Sequence, residues 1–378
     1  MTTHRRSPLA VAALLALLLP PWAGAQIGLP LAEVVAVAAL ELTSPGDGGA
    51  ANPAAEAGVP VRALTAAGTE VALETRGSAL SRVSGEGVFD EATIADVARI
   101  IGAATGYFAA IEAPVAGFFE QNLGVLAGTG PFAVGVEGYR LTLDVTGAAA
   151  PYRVAWAIAL AEVPEAAFLP ARHAKGPADA RYVIREFSDL QCPFCARYAE
   201  RVVPALEATL LVRGDVRFEY HHFVLGGRFA NSGLAAEAAE CVVDANPDEP
   251  EAFWRYLDAL FERQPAWSNL GDAAPYFARL PLDAGLRDDG VAECLAAGRH
   301  RDAVRASTAR AAELGIGGTP TVFVGPFQLR DFGRLESYLE AMRLVDAFFP
   351  IEAAADGGSP GDDAGPDDAA DPEAAAGE

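Results

Sequence analysis

Two cysteines three positions apart, at the start of a predicted helix, constrain this chain most strongly. Residues 182–187 form a β-branched and aromatic run typical of a buried strand, and a short polar loop separates it from Cys192-Pro193-Phe194-Cys195. Pro193 suits the first helical turn because its missing N–H would have no partner there. The first thiol then faces unpaired backbone N–H groups, which favour its thiolate. The pattern predicts strand, loop, reactive dithiol and helix.

Length and charge limit the fold and the class of function. The chain has 378 residues, of which 51% are apolar and 21% charged, so it can bury one or two cores. Its formal net charge is -23. Nucleic-acid binding requires basic surface that displaces counterions from phosphate, so this charge argues against nucleic acid and against an anionic membrane surface as partners. We expect two domains with flanking tails.

The first 25 residues have the pattern of a secretory signal peptide. Two arginines precede an apolar run at residues 8–19, and the small residues 23–25 place the expected cleavage before Gln26. A permanent membrane anchor is the less favoured alternative, because the apolar run is short for a bilayer. We therefore predict export by a cleavable signal peptide and a periplasmic or extracytoplasmic location.

Residues 351–378 are predicted to form a disordered acidic tail. Positions 352–378 carry nine acidic and no basic residues. They lack the apolar side chains that would offset the loss of chain entropy on folding. A solubilising or spacing role is the simplest interpretation, and a docking segment is the alternative.

Residues 26–170 precede the dithiol and divide into two predicted parts. Residues 26–60 form an N-terminal segment, with a candidate helix at 29–42 and a linker rich in Gly, Pro and Ala. Residues 61–170 form a small α+β domain of unknown role, in which a helical stretch at 91–126 breaks around Ala113-Pro114. Its predicted strands are 61–64, 70–74, 80–83, 139–145 and 152–161. No metal-ligand spacing, phosphate loop or catalytic cluster is found there.

Residues 171–350 form the second predicted domain, which contains all four cysteines. A polar bridge at 170–179 leads into it, and the dithiol helix extends to about residue 211. Further strands are predicted at 215–223, 321–324 and 327–330, and further helices at 231–244, 250–264, 283–297, 300–314 and 335–349. Helices between the second and third strands make this an α/β domain with a helical insertion at about 229–314.

These residues resemble the DsbA-like branch of the thioredoxin superfamily over about positions 180–349. The resemblance rests on Glu186 in the first strand, on the dithiol motif, on the helix Ala-Ala-Glu-Ala-Ala-Glu-Cys ending at Cys241, and on Gly318-Thr319-Pro320-Thr321 opening a strand. It implies a thioredoxin fold interrupted by helices. It also implies a cis bond between Thr319 and Pro320 beside the sulfurs, although an X-Pro bond taken alone favours trans.

The resemblance also implies the chemistry of the site. Cys192, expected to be exposed at the helix start, attacks or is attacked in a mixed disulfide, and the buried Cys195 resolves it. Glu186 matches a buried acidic position that exchanges a proton with the Cys195 thiol; an ordinary strand glutamate is the alternative. Substrate contacts are expected from Pro193, Phe194, Thr319 and Pro320. Phe194 replaces a histidine of the best-known member, which predicts a weaker oxidant.

Cys241 and Cys294 lie in separate predicted helices, and an even cysteine count in an exported protein suggests a second, structural disulfide between them. Some DsbA-like proteins have a similar arrangement. A structural zinc site built from all four cysteines is the alternative, although the spacing lacks two close pairs. His221 and His222 are neighbours in a strand, so their side chains face opposite ways and only one of them could line a site.

The sequence therefore predicts an exported thiol-disulfide oxidoreductase, favoured as a disulfide-forming oxidase. A reductase or isomerase with the same dithiol is the first alternative, and a redox-inactive polypeptide-binding module is another. The expected partners are exported client proteins with cysteines, together with a membrane quinone-linked re-oxidising partner or an electron donor. No cofactor and no metal are expected.

Overall fold

The computed structural model describes residues 27–31, 41–43, 60–65, 67–77, 79–136 and 138–350. The predicted signal peptide, the acidic tail and most of the N-terminal segment, including most of the candidate helix at 29–42, lie outside these ranges. Within them, no helix combines the length and the apolar character needed to cross a membrane.

The first part of the chain builds a seven-stranded antiparallel sheet. Its strands are β1 (Glu41–Thr43), β2 (Val61–Leu64), β3 (Glu70–Arg76), β4 (Ala79–Phe89), β5 (Phe132–Val136), β6 (Tyr139–Thr146) and β7 (Tyr152–Leu160). The strand order is β1-β2-β3-β4-β7-β6-β5. In β6, buried and exposed residues alternate, because successive side chains of a strand point to opposite faces. One face therefore packs into the core. Sequence analysis missed the short strands β1 and β5 and ended β4 at residue 83, whereas β4 extends to Phe89.

Two helices pack with this sheet: α1 (Glu91–Thr105) and α2 (Ala109–Leu126). The predicted break at Ala113-Pro114 is wrong, because α1 ends at Gly106 and Pro114 lies inside α2. Gly106 adopts φ 74°, which glycine tolerates, and the chain then turns so closely that the Phe108 N–H bonds the Gly102 carbonyl at 2.9 Å. The hydrogen bond between Phe108 and Gly102 therefore fixes the boundary between α1 and α2, and local sequence does not predict this contact.

The second part of the chain builds a five-stranded mixed sheet in the order β12-β11-β9-β10-β8. Its strands are β8 (His173–Lys175), β9 (Tyr182–Ser188), β10 (Val216–His222), β11 (Thr321–Val324) and β12 (Phe327–Gln328). β9 and β10 are parallel, and the other pairs are antiparallel. β8 lies in the segment predicted to be a polar bridge. It is only three residues long and is defined by pairing with the distant β10, so its own residues do not predict it.

Helices surround this second sheet, and most of them belong to the insertion between β10 and β11. They are α3 (Pro193–Arg201), α4 (Val203–Thr209), α5 (Ser232–Ala245), α6 (Ala252–Glu262), α7 (Gln264–Trp267), α8 (Ala274–Asp283), α9 (Val291–Ala297), α10 (Arg301–Glu313) and α11 (Leu335–Phe348). The predicted continuous dithiol helix is interrupted at Val202, next to Pro204. The predicted helix at 283–297 is also wrong. Residues 284–290 form a loop, in which Gly285 and Gly290 have φ near 70°.

The two sheets are joined through the end of α11. The Arg76 guanidinium lies 5.4 Å from the Phe348 ring centroid and 5.3 Å from that of Phe349, and it pairs with Glu162 at 2.8 Å. Gly77 adopts φ 59° at the β3–β4 turn, where an added Cβ would lie 2.4 Å from the Ala347 carbonyl oxygen. The close approach of this turn to α11 thus requires a glycine.

Candidate active site

The dithiol loop leaves the centre of the second sheet and is held by a buried carboxylate. Asp189 follows β9 and is 2% exposed. Its Oδ1 accepts from the Gln191 N–H at 2.8 Å and from the Ser232 hydroxyl at 2.5 Å, and its Oδ2 accepts from the Leu225 N–H at 2.7 Å. One side chain therefore fixes the loop against α5 and against the segment that follows β10.

Three side-chain amides continue this attachment, one from the loop itself and two from the insertion. Gln264 donates to the carbonyls of Leu190 at 2.8 Å and of Cys192 at 3.1 Å. Gln191 Oε1 accepts from the Asn231 N–H at 2.8 Å, and the Asn231 amide donates to the Trp267 carbonyl at 3.1 Å. Sequence analysis did not select Asp189, Gln191, Asn231 or Gln264. The only signal was that each is a polar residue beside a predicted helix or strand end.

The fold brings a proline loop from far along the chain to the first cysteine. The Thr319-Pro320 bond is cis, and Thr319 immediately precedes β11, which pairs with β9. Cys192 Sγ lies 3.5 Å from the Thr319 carbonyl oxygen, across 127 positions of sequence. Sheet pairing thus brings together residues that sequence analysis assigned to one site through the resemblance alone.

Cys192 itself is 3% exposed, so the expectation that it is exposed at the helix start is wrong. The Thr319 carbonyl lies against its sulfur, and such a long-range contact does not follow from a position at a helix start. Phe194 is 60% exposed, and Pro193 is also exposed. A groove of about 610 Å³ opens beside the sulfur between these elements.

The two thiols have opposite electrostatic environments. A hydrogen bond from the Cys195 thiol, with further ones from Thr319 and the backbone N–H groups of Cys195 and Phe194, outweighs burial and lowers the pKa of Cys192 to about 5. Burial, together with the negative Cys192 sulfur, raises the pKa of Cys195 far above its ordinary range. At neutral pH the reduced pair therefore holds one thiolate and one thiol.

We expect the reduced protein to be alkylated at Cys192 with a pH midpoint near 5. An ordinary thiol would show a midpoint near 9, because only the thiolate reacts. Replacing Cys195 with alanine removes the largest stabilising hydrogen bond and should move the midpoint upward. The measurement is the iodoacetamide reaction rate from pH 4 to 9, followed by mass. A midpoint above about 8 in the wild-type protein would contradict this expectation.

Glu186 is 2% exposed in β9, between Tyr220 of β10 and Val322 of β11. Burial raises the pKa of its carboxyl to about 7, and its Oε1 has no hydrogen-bond partner within the described ranges. No hydrogen bond in those ranges joins it to Cys195. The predicted acid therefore has a proton available near neutral pH, and its exchange with Cys195 stays a prediction.

Replacing Glu186 with glutamine should remove a pH-dependent cost to folding. The folded carboxyl has a pKa of about 7, against 4.5 ordinarily, so the folded state retains a proton that the unfolded state loses. Stability therefore falls as pH rises between these values, by about 3 kcal/mol in total. Urea unfolding of the oxidised proteins should show Glu186→Gln gaining that amount at pH 8 and little at pH 4.

Glu219 provides a control, because its lowered pKa makes stability depend on pH in the opposite direction. Despite burial, its hydrogen-bonding partners and Arg185 lower the pKa of Glu219 to about 2, and its oxygens lie 3.0 Å from Arg185 Nε and 2.9 Å from Arg217 Nε. Its ionised form therefore stabilises the fold above pH 4.5, and that contribution is lost as pH falls toward 2. We expect Glu219→Gln to lose stability at pH 8. If Glu186→Gln changed the free energy of unfolding by the same amount at pH 4 and pH 8, the pKa of the buried Glu186 carboxyl would not be raised.

The two adjacent histidines lie on opposite faces of β10, as their spacing predicted. His222 Nε2 lies 3.2 Å from Glu240 Oε1, which also contacts His173 Nε2 at 2.9 Å. His221 stacks on Phe187, with ring centroids 4.8 Å apart. Burial raises the pKa of Glu240, but the two histidines outweigh it and hold that pKa well below the usual range. The contacts of both histidines are structural.

Cys241 and Cys294 form a disulfide between α5 and α9, with a Cα–Cα distance of 5.9 Å. Cys192 and Cys195 are free thiols. A zinc site built from all four cysteines would need both sulfurs of this disulfide as ligands, and they are bonded to each other. The second pair therefore acts as a crosslink within the insertion.

Comparison with known proteins agrees with this fold. A family model described as thioredoxin matches residues 169–341. Disulfide bond formation protein D of Bacillus subtilis is 26% identical over 174 residues, which cover 44% of this chain and 73% of that protein. The Na⁺/H⁺ antiporter NhaA 3 of Salinispora tropica is 31% identical over 163 residues, or 42% of this chain and only 23% of the antiporter.

Solved structures give overlaps of similar extent. BdbD from Bacillus subtilis in its oxidised form is 24% identical, with a TM-score of 0.40 over 45% of this chain and 91% of that one. DsbA from Chlamydia trachomatis is 19% identical, with a TM-score of 0.40 over 47% of this chain and 92% of that one.

The fold and the paired cysteines define a thiol-disulfide oxidoreductase. A dithiol at a helix start, a cis-proline beside it and an interrupting helical insertion occur together in the matched thioredoxin domain. Residues 169–341 match the thioredoxin family model, and this domain is similar to DsbA-type thiol-disulfide oxidoreductases.

Proposed function

We propose that this protein is exported and introduces disulfides into exported client proteins. The observation that carries the proposal is the opposed pKa values of the two thiols, because a stabilised Cys192 thiolate stabilises the reduced pair. A reduced form that is stabilised makes the disulfide a stronger oxidant. The predicted signal peptide and the similarity to disulfide bond formation protein D support an extracytoplasmic location.

The exchange begins from the oxidised Cys192–Cys195 pair. A client thiolate attacks Cys192 Sγ, so that a client–Cys192 disulfide forms, the Cys192–Cys195 bond breaks and the electron pair leaves on Cys195. Cys195 takes up a proton, because burial strongly favours its thiol. A second client thiolate then attacks the client sulfur of the mixed disulfide and releases Cys192, whose low pKa makes it a good leaving group.

Glu186 is proposed as the group that exchanges this proton with Cys195. Its pKa of about 7 allows it to be protonated or ionised near neutral pH, which is the range a proton donor requires. Both groups are buried, and Tyr220 lies within electrostatic range of both. When Cys195 later attacks a mixed disulfide, the same carboxylate would accept the proton.

The client chain is proposed to lie along the groove. The exposed Pro193 and Phe194 offer apolar contact on one side, and Thr319 offers backbone on the other. Pro320, also predicted as a client contact, is buried and does not line the groove, so its role would be to hold the Thr319 backbone through the cis bond. An extended segment pairing with the Thr319 backbone would bring its cysteine next to Cys192 Sγ, which lies 3.5 Å from the Thr319 carbonyl. The reactive sulfur would thus be reached although it is buried in the free protein.

Sustained oxidation requires a partner that removes two electrons from the reduced pair. We propose a membrane quinone-linked protein for this step. A reductase or isomerase would instead need an electron donor. Phe194 supplies no charge, unlike a histidine at this position, which predicts a weaker oxidant than the best-known family member.

The reduction potential of Cys192–Cys195 tests the proposal. Purified mature protein is equilibrated in defined thiol/disulfide buffers, and its free thiols are trapped and counted by mass. A potential near or above roughly -180 mV supports a disulfide donor, and one near roughly -270 mV favours the reductase. A pair that never exchanges would refute both.

A further inference from the structure

Among the residues that the structure describes, those lining the groove beside Cys192 include one basic side chain and no acidic one. The groove is formed by residues 192–194, by the segment 223–229 after β10 and by the loop 317–319. Apart from Cys192, Arg228 is its one ionisable lining residue. The exposed Arg228 guanidinium lies 5.9 Å from the Phe229 ring centroid, and within the described ranges it has no carboxylate partner.

A second arginine borders the same groove. Arg197 is exposed on α3, and its guanidinium carbon lies 4.4 Å from the ring centroid of Phe194, which lines the groove. Such stacking fixes the direction of the charge and leaves its N–H donors free. Arg197 too has no acidic partner in the part of the chain that the structure describes.

Arginines without an acidic partner are a minority on this protein. Acidic residues outnumber basic ones by 51 to 28, and most described arginines form ion pairs. Arg172 pairs with Glu240, Arg217 with Glu219 and Arg301 with Glu237. Arg197 and Arg228 therefore keep their charges available to a carboxylate from another molecule, and both do so beside Cys192.

We propose that this groove selects client segments that carry an Asp or Glu close to the reactive cysteine, with Arg228 as the main contact and Arg197 as the second. The inference rests on the proposed function, because it assigns a substrate preference to the same exchange. A guanidinium binds a carboxylate through two parallel N–H donors. The Debye length is about 8 Å at physiological ionic strength, so these nearby charges outweigh the protein's distant negative charge.

Three peptides test this preference. Each carries one cysteine, flanked on both sides by Glu, Gln or Lys, and each is reacted with the oxidised full-length mature protein. The rate of mixed-disulfide formation is measured by acid quenching and mass, then divided by that peptide's rate with neutral hydroxyethyl disulfide. This division removes the effect of the flanking charge on the cysteine's own pKa. We expect the Glu peptide to react about fivefold faster than the Gln peptide, and this ratio should decrease at high salt.

Variants of Arg228 identify the responsible group. Arg228→Gln should bring the Glu and Gln rates close together, Arg228→Glu should make the Lys peptide the fastest, and Arg228→Lys should retain the preference. Arg279→Gln is the matched control, because Arg279 is exposed on α8, has no acidic partner within the described residues and does not line the groove. Its preference should equal that of the wild type.

Two results would overturn the inference. Equal normalised rates for the three peptides, or a preference that survives Arg228→Gln and Arg197→Gln together, would show that these arginines do not select clients. Both results leave disulfide exchange itself intact. No exchange with any of the peptides would instead overturn the proposed function, and this inference with it.

Discussion

Replacing Cys192 with serine is expected to lower the rate of disulfide transfer to a reduced client protein by about 1,000-fold or more. The serine hydroxyl neither ionises near neutral pH nor forms a disulfide, so the sulfur that receives the client is lost. The measurement is the gain of activity in a reduced, disulfide-dependent client enzyme, with thiols counted by mass. Retained polypeptide binding in this variant would show that binding and chemistry are separable.

Cys195→Ser is the matched control for this experiment. It retains the Cys192 thiolate but lacks the resolving thiol. With a disulfide-bonded client, Cys192 should attack the client disulfide and release one client thiolate, and the resulting client–Cys192 disulfide should persist as a detectable covalent complex. Cys192→Ser should form no such complex. If the two variants trapped client equally, or if Cys192→Ser transferred disulfides normally, Cys192 would not be the sulfur that receives the client.

Replacing Cys241 and Cys294 together with alanine is expected to lower the free energy of unfolding by about 4 kcal/mol. The disulfide joins residues 53 positions apart, and in the chain-entropy model a loop of this length restricts the unfolded chain by that amount. Both sulfurs are about 1% exposed, so a small loss of packing adds to the effect. Urea unfolding gives the value directly.

The experiment is best done with both active-site cysteines replaced by alanine, since a released thiol could exchange with them. In that background, reducing the intact Cys241–Cys294 bond should reproduce most of the loss seen in the double variant. If the free energy of unfolding changed by less than about 1 kcal/mol in both cases, this part of the unfolded chain would already be ordered without the crosslink. Disulfide transfer by the active pair should persist in Cys241→Ala/Cys294→Ala wherever it stays folded.

Local patterns were enough to predict the parts of this protein that depend on neighbours in sequence. The strand before the dithiol, the start of the helix at Pro193 and the strands β6 and β7 were predicted with small errors at the ends. The strands at 41–43, 132–136 and 173–175 and the helix at 274–283 were missed. The strand at 173–175 is defined by pairing with the distant β10, and the strand at 132–136 is a mostly exposed edge strand that contains a glycine. The helix contains prolines at residues 275 and 281.

By itself the sequence determined the class of chemistry, because two cysteines three positions apart at a helix start predict a reactive dithiol, and the later Thr319-Pro320 adds to it through the family resemblance. Only the tertiary structure decided that Cys192 is buried, that Glu186 carries a raised pKa and that Asp189 and Gln264 hold the loop. Burial and pKa depend on atoms contributed by segments far apart in sequence, here 223–229, 264 and 317–319. Local sequence sets the donors and charges, whereas long-range packing sets the solvent exposure and the neighbours that tune them.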